Sequence, residues 1–270
     1  MQLPDPQRVS VLIEEAAAAE IVPRFRNLAT GDVREKSPGE VVTAADEAME
    51  RRLEADLQGL LPGSVVVGEE SAAADPRRLE LLNDDRPAWV IDPLDGTANF
   101  AAGIALFGSM VCLVRAGETL AAWIHLPVEG RTLVAERGSG AWLGRERLHV
   151  GTAVPPYHAS ISTKFFPSPQ KERIQSVLGQ FACHESSHCA AVAYRQLVTG
   201  ELDVALYYRL MPWDHAPGVL IHAEAGGYSA RLNGEPYSPL IHSEGLLVAP
   251  SEEAWQSVMQ MIGERPAAAS

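Results

Sequence analysis

The chain is organised around residues 89–100, which run Trp89-Val90-Ile91-Asp92-Pro93-Leu94-Asp95-Gly96-Thr97-Ala98-Asn99-Phe100. The apolar residues that open this stretch predict the end of a buried strand. Pro93 cannot continue a strand ladder, so we expect the strand to end where Asp92 and Asp95 present two carboxylates. Gly96 permits close approach of the backbone, and Thr97 is a favoured N-cap residue, so a helix is expected to begin here.

This arrangement predicts a particular chemistry. Carboxylate oxygens next to a turn with anion-binding N–H groups suit a divalent cation that bridges to a phosphate. The alternative is an ordinary strand-to-helix turn with solvated aspartates. The specific order Asp-Pro-x-Asp-Gly-Thr after an apolar strand favours the metal and phosphate interpretation.

Composition excludes several other classes of protein. At 270 residues, with 46% hydrophobic and 21% charged residues, the chain is typical of a globular protein that buries a large core. A formal charge of −13 argues against a nucleic-acid partner, which requires a basic surface. No apolar run approaches the length of a membrane span, and the first residues lack the pattern of a signal peptide, so neither a membrane nor secretion is expected.

The cysteines also favour the cytoplasm. Cys112, Cys183 and Cys189 are an odd number with no disulfide spacing, which a reducing compartment explains most simply. Residues 183–189 contain Cys183, His184, His188 and Cys189 and raise the alternative of a zinc site. These residues are closer together than the ligands of structural zinc sites usually are, so zinc is the weaker interpretation.

Helical and strand patterns alternate in blocks, which predicts an α/β or α+β protein. Helices are expected over 6–21, 43–60, 169–178, 190–198, 214–225 and 252–262. Strands are expected over 65–67, 89–91, 108–114, 119–125, 132–136, 141–143, 159–163, 203–207 and 246–249, with a loop over 36–40. A proline-bearing connection over 151–156 predicts a division into an N-terminal α+β half, 1–152, and a C-terminal α/β half, 153–270.

Four motifs in order identify a family resemblance. Besides residues 92–100, they are Val42-Thr43-Ala44-Ala45-Asp46, Gly68-Glu69-Glu70-Ser71 and Pro212-Trp213-Asp214-His215-Ala216-Pro217-Gly218. Together they resemble the inositol monophosphatase family, over residues 8 to 263. The resemblance implies a layered α-β-α-β-α sandwich of the sugar phosphatase type, with a metal site between the halves, and a homodimer.

The resemblance also assigns roles to individual residues. It implies two or three Mg²⁺ ions per site, with Mn²⁺ as a substitute, which agrees with the preference of these ions for oxygen ligands. Glu69, Asp92 and the Leu94 carbonyl would hold the first ion, Asp92, Asp95 and Asp214 would hold the second, and a weaker third would lie near Glu69. The catalytic residues would be Thr97, Asp46 and Glu69, with Gly96 and Thr97 binding phosphate, Asp95, Ala190 and Arg209 binding substrate, and Glu70 and Lys36 as accessory residues.

Some of these residues have simpler interpretations. Asp46 and Asp214 are each suited to stabilise a helix N-terminus, since Asp46 follows Thr43 in a capping-box pattern and Asp214 opens a helical stretch. Glu69 and Glu70 are alternatively a solvated pair, and Lys36 a solvated loop lysine.

We therefore expect a Mg²⁺-dependent phosphomonoesterase that hydrolyses inositol monophosphate, or a related small sugar or polyol phosphate, with metal-activated water. The alternatives within this class are fructose-1,6-bisphosphatase, 3′-phosphonucleotidase and histidinol-phosphatase activity. A catalytically inactive metal-binding regulatory protein is the alternative from a different class.

Substrate choice is expected to depend on Arg209. The inositol phosphatases have a glutamate that contacts substrate hydroxyls shortly before the Trp-Asp motif, and here Tyr207-Tyr208 is followed by Arg209 and a shorter loop. An arginine is always charged and only donates hydrogen bonds, so it favours a second anionic group over a hydroxyl or an amine. The alternative is that the shorter loop turns Arg209 into solvent.

Overall fold

The computed structural model describes residues 3–37 and 39–263, and the sheets within them set the architecture. In this part of the chain the strands form a large sheet in the order β3-β4-β5-β6-β7-β8-β9, a small sheet in the order β10-β11-β13-β12 and a hairpin, β1-β2. The hairpin consists of β1 (Val33–Ser37) and β2 (Glu40–Thr43). The large sheet consists of β3 (Val65–Gly68), β4 (Ala88–Asp95), β5 (Gly108–Arg115), β6 (Glu118–Leu126), β7 (Arg131–Glu136), β8 (Gly140–Leu143) and β9 (Glu146–Arg147). The small sheet consists of β10 (Ala159–Ile161), β11 (Val204–Tyr207), β12 (Tyr228–Arg231) and β13 (Leu246–Ala249).

The helices cover both sheets on both faces. They are α1 (Pro6–Glu20), α2 (Ala44–Leu60), α3 (Glu69–Ala74), α4 (Thr97–Ala101), α5 (Ser168–Val177), α6 (Ala190–Thr199), α7 (Pro212–Glu224) and α8 (Glu252–Met261). Helices α1 and α2 pack on one face of the large sheet, and α6 and α7 lie between the two sheets. Helix α8 covers the far face of the small sheet. The layers are therefore α-β-α-β-α, and the predicted fold class is confirmed.

Strand β4 shows why the central stretch is so apolar. Trp89 and Ile91 point into the core beneath α1 and α2, whereas Ala88 and Val90 point into the core beneath α6 and α7. Because both faces of the strand are buried, it needs apolar residues at successive positions rather than at alternate ones. The strand therefore delivers its terminal aspartates from the middle of the molecule.

The N-termini of α1 and α2 agree with the sequence prediction, whereas those of α4 and α7 differ from it. Asp5 caps α1 by accepting the Gln7 N–H, and Thr43 and Asp46 form the expected capping box of α2. Helix α4 has Gly96 as its N-cap, so the expectation that Thr97 is the N-cap residue was wrong. Helix α7 begins at Pro212, earlier than predicted, because proline is well suited to the first helical position.

The structure also corrects the loop predicted over 36–40. Residues on both sides of it pair as the antiparallel β1-β2 hairpin, which the pattern missed because β1 is largely exposed and polar and shows no apolar alternation. The predicted division between residues 152 and 153 falls in the connection between β9 and β10. It stays a prediction, and one core cluster contains residues from both sides of it. Residues 264–270 of the predicted C-terminal half lie outside the described residues. Among the helices of residues 3–37 and 39–263, none is both long and apolar enough to cross a membrane.

Candidate active site

The site is built on an irregular end of β4. The pairing of β4 with β5 shifts register between Asp92 and Asp95, where Pro93 interrupts the ladder of hydrogen bonds. The Asp92 side chain accepts the Leu94 N–H at 3.0 Å, and the buried Ser109 hydroxyl donates to the Pro93 carbonyl at 2.7 Å. These bonds hold the backbone in a tight conformation that keeps Asp92 and Asp95 close together at the C-terminal end of β4.

Gly96 completes this turn in a conformation that other residues rarely adopt. Its φ is +84°, and a Cβ atom added to it would lie 2.7 Å from the Leu106 carbonyl oxygen. A side chain at this position would therefore be strained and would also collide with backbone. The close approach of the Gly96 backbone to a ligand stays a prediction, since the neighbours here are Leu106 and Cys189.

Thr97 and Asp46 come together from separate parts of the chain. The Thr97 hydroxyl oxygen lies 2.9 Å from Asp46 Oδ1 and 2.8 Å from the Leu94 carbonyl oxygen. Asp46 Oδ2 accepts the Thr43 N–H at 2.8 Å and the Thr43 hydroxyl at 2.5 Å. Burial raises the pKa of Asp46 to about 6, although the hydrogen bonds from Thr43 and Thr97 oppose the shift. The capping role of Asp46 and its contact with Thr97 therefore coexist.

Asp95 is held by the start of α6. Its Oδ2 accepts the Ala191 N–H at 2.6 Å and lies 3.0 Å from the Cys189 sulfur, and the Ala190 backbone also donates to the carboxyl group. Burial raises the pKa of Asp95 to about 6 despite these donors. The aspartate is thus oriented by α6, between the two sheets.

Asp214 and Asp92 face each other across the site. Asp214 lies in the first turn of α7, not at its N-cap, and its carboxyl group hydrogen bonds to that of Asp92. Burial, followed by repulsion from Glu69, raises the pKa of both groups well above the usual range, and Asp95 adds to the effect. These carboxyl groups are close enough to compete for protons or for a cation.

Glu69 and Glu70 lie on the hairpin side of the site. The Lys36 ammonium on β1 lies 2.5 Å from Glu69 Oε1 and 2.8 Å from Glu70 Oε1. Burial opposes the charge of Lys36, but the two glutamates outweigh it and raise its pKa, whereas burial and Glu69 raise the pKa of Glu70 to about 7. Lys36 is therefore paired in the site rather than solvated, as are Glu69 and Glu70.

Sequence reasoning missed Glu50, which positions this acidic pair. Glu50 is 5% exposed, and its two oxygens accept the N–H groups of Glu70 and Ser71, each at 2.8 Å. A Cβ atom added to Gly68 would lie 2.3 Å from the Glu50 carboxyl carbon, so the glycine admits this contact. The available signal was that Glu50 follows Asp46 by four residues and shares its helix face.

The predicted substrate residues line one cavity of about 320 Å³. Asp95, Ala190, Arg209 and Asp214 all contribute to its wall. Arg209 therefore faces the site, but its guanidinium donates a hydrogen bond to Glu40 on β2 and lies over the Phe165 ring. The role of Arg209 in substrate choice stays a prediction, and the hairpin brings it a carboxylate partner that the sequence did not indicate.

The chemistry of the donor set fits a hard divalent cation. Glu69, Asp92, Asp95 and Asp214 offer only oxygen, and in the described residues none of the three aspartates forms an ion pair with a lysine or arginine. In residues 3–37 and 39–263, no group of three or more His, Cys, Asp or Glu side chains is already arranged as a metal site. The carboxyl groups of this site contact Lys36 and each other. The zinc alternative was also wrong, because Cys189 turns to Asp95 while Cys183 is exposed.

Comparison with known proteins places this site in a family. The model of the inositol monophosphatase family matches residues 6–265. The chain belongs to the inositol monophosphatase family. The predicted resemblance is confirmed, and membership supports phosphatase chemistry on small phosphate esters.

Individual relatives agree over most of their length. The chain is 31% identical to an inositol-1-monophosphatase of Rhizobium meliloti, over 86% of this chain and 85% of the relative. It is 29% identical to a fructose-1,6-bisphosphatase/inositol-1-monophosphatase of Thermotoga maritima, over 85% and 88% of the two chains. The structure of the extragenic suppressor protein suhB of Bartonella henselae matches with a TM-score of 0.79 and 23% identity, over 94% of this chain and 98% of that one. The last match shows the fold.

The contact between Thr97 and Asp46 predicts a non-additive pair of variants. Thr97→Ala and Asp46→Asn are each expected to lower phosphatase turnover roughly a hundredfold, the scale of a positioned proton-transfer group. The double variant should be little worse than either single variant, because the two residues act as a unit. Thr97→Ser keeps the hydroxyl and is the control that should retain most activity. Additive losses in the double variant would contradict the pairing.

The contacts of Glu50 predict an effect on metal activation. Glu50→Gln leaves one oxygen acceptor for two N–H groups, so Glu69 and Glu70 should lose their orientation. We expect the Mg²⁺ concentration for half-maximal activity to rise about tenfold or more, as for other residues that orient metal ligands. Glu54→Gln, one turn further along α2, is the matched control and should leave metal activation unchanged. An unaltered Mg²⁺ dependence in Glu50→Gln would show that Glu50 only stabilises the fold.

Proposed function

We propose that this protein is a Mg²⁺-dependent phosphomonoesterase that hydrolyses inositol monophosphate, or a related small sugar or polyol phosphate, with water as the nucleophile. The observation that carries the proposal is the position of the Thr97 hydroxyl between Asp46 and the Leu94 carbonyl, next to the buried carboxylates. A helix cap alone would not need a threonine shared between two acceptors from different segments.

Thr97 is proposed to orient the attacking water. A hydroxyl group has one hydrogen to donate and retains lone pairs that can accept. When that hydrogen is donated to Asp46, the Thr97 oxygen is free to accept a hydrogen bond from a water molecule. Asp46 is fixed by Thr43 and is fully buried, so it holds Thr97 in this orientation. The pair would thereby accept a hydrogen bond from the water and help to remove its proton as it attacks.

The carboxylates are proposed to hold the metal ions. Glu69, Asp92 and the Leu94 carbonyl would bind one ion, and Asp92, Asp95 and Asp214 the other, with Glu70 and Lys36 as accessory groups. When bound, divalent cations supply positive charge to the phosphoryl oxygens and lower the pKa of bound water. Gly96 and Thr97 would donate backbone N–H groups to the phosphate, since the glycine leaves the approach unobstructed.

The rest of the molecule supports an enzyme rather than a binding protein that has lost turnover. A protein that only binds metal has no use for the Thr97–Asp46 contact, yet Asp46 is fully buried and accepts a hydrogen bond from the half-buried Thr97 hydroxyl. The residues that line the cavity beside the carboxylates include the hydroxyl-bearing Ser160, Ser162 and Tyr208, which suit a polyhydroxylated substrate. The homodimer and the cytoplasmic location stay predictions.

Metal dependence is the direct test of this function. Chelation should abolish release of phosphate from p-nitrophenyl phosphate or inositol monophosphate, and Mg²⁺ should restore it, whereas Zn²⁺ or Ca²⁺ should substitute poorly. Asp95→Asn should lower turnover roughly a hundredfold or more, because several kcal/mol of charge stabilisation depend on the metal. Its circular dichroism spectrum should match that of the wild type, since one repulsive charge is removed. Full activity in excess chelator would contradict the proposal.

A further inference from the structure

The mouth of the active-site cavity carries two cationic side chains beside one aromatic ring. Lys164 and Phe165 lie between β10 and α5, and Arg209 lies between β11 and α7. The Arg209 guanidinium carbon is 4.4 Å from the centre of the Phe165 ring, and the Lys164 nitrogen is 5.1 Å from it. All three residues line the same cavity as Asp95 and Asp214. Positive charge is therefore concentrated at the opening of an otherwise acidic site.

The two cations differ in whether they are already paired. Arg209 donates to Glu40, so most of its charge is balanced by a carboxylate of the hairpin. Lys164 forms no ion pair with any of residues 3–37 and 39–263, and its recorded partner is the Phe165 ring. With two cations and one carboxylate, the mouth of the cavity keeps one unbalanced positive charge.

The position of Lys164 suits a contact with a bound substrate. Its nitrogen lies 3.8 Å from where a Cβ of Gly39 would be, so the side chain reaches across to the tip of the β1-β2 hairpin. The chain has three lysines and a formal charge of −13, and one of these lysines faces this cavity without a carboxylate partner. A cation held in this way attracts an anionic ligand group that enters the cavity.

We propose that Lys164 is a specificity-determining residue, and that the cavity prefers a phosphomonoester that bears a second anionic group, a carboxylate or a phosphate, remote from the scissile phosphate. The Phe165 ring contacts the Lys164 ammonium. Glu40 pairs with Arg209, so the arginine becomes a second donor only when the Glu40 carboxylate is neutralised. The inference rests on the proposed phosphatase function and deepens it. It transfers to Lys164 the charge recognition that the sequence alone assigned to Arg209.

The test compares two substrates that differ in one group. Glucose 1-phosphate and glucuronic acid 1-phosphate have the same phosphomonoester, and only the second carries a carboxylate at the far end of the sugar. The ratio of their kcat/KM values isolates recognition of the second anion from the chemical step. Turnover of p-nitrophenyl phosphate with Mg²⁺ provides the independent measure of phosphatase activity.

Lys164→Met is expected to lower the preference for the glucuronic acid ester about five- to tenfold, the scale of a charge-assisted contact weakened by solvent. The loss should appear in KM rather than in kcat, because Lys164 does not touch the catalytic carboxylates. Lys171→Met, on α5, removes the same charge outside the cavity and should leave the ratio unchanged. Glu40→Gln releases Arg209 and should raise the ratio.

The outcomes separate this inference from the proposed function. A preference for the anionic ester that falls in Lys164→Met but not in Lys171→Met supports the subsite. Normal turnover of p-nitrophenyl phosphate with equal use of the two sugar esters, or with the same ratio in both lysine variants, overturns the subsite and leaves the phosphatase intact. Failure of the wild type to hydrolyse any of the three esters with Mg²⁺ overturns both.

Discussion

Electrostatic repulsion among closely spaced carboxylates is the constraint on which the rest of this structure depends. The buried Asp92 and the half-buried Asp95 and Asp214 lie together where β4 ends and α7 begins, and burial and their neighbours raise their pKa values. Such a cluster destabilises the fold unless protons, hydrogen-bond donors or a cation compensate. The surrounding elements act against this repulsion, since α6 donates two backbone N–H groups to Asp95 and Leu94 in β4 donates one to Asp92. The site therefore costs stability, and a bound cation would offset that cost.

Helix α2 is the frame that keeps the other parts of the site in register. Asp46 and Glu50 lie one turn apart and are both buried, and each bonds to a different segment. Asp46 holds Thr97, where the water is proposed to be oriented, and Glu50 holds the start of α3, which carries Glu69 and Glu70. The distance from Thr97 to Glu69 and Glu70 is thus set by one rigid helical turn. Aliphatic residues on the same helix, such as Met49 and Leu53, anchor it in the core.

The sequence predicted those features whose cause is local. The apolar run of β4 and the capping box of α2 are each determined by neighbouring residues, so both were confirmed. The pairing of Arg209 with Glu40 joins residues 169 positions apart, and no local pattern specifies it. Glu50 shares a helix face with Asp46 but was missed, because its partners are backbone N–H groups 20 and 21 residues away. The β1-β2 hairpin was missed because exposed strands need no apolar alternation. The start of α7 was predicted too late, although Pro212 already indicated where the helix begins.

The central claim is that the clustered carboxylates are a cation site, and the dependence of stability on Mg²⁺ tests it most directly. Thermal unfolding should be measured with and without Mg²⁺ for the wild type, for Asp214→Asn and for the charge-matched surface control Asp85→Asn. Mg²⁺ at a hundred times its Kd should stabilise the wild type and the control by about 2.7 kcal/mol, which is several degrees in Tm. Asp214→Asn should be at least as stable as the wild type without Mg²⁺ and should gain much less with it. An equal rise in Tm for all three proteins, or none for the wild type, would contradict the account.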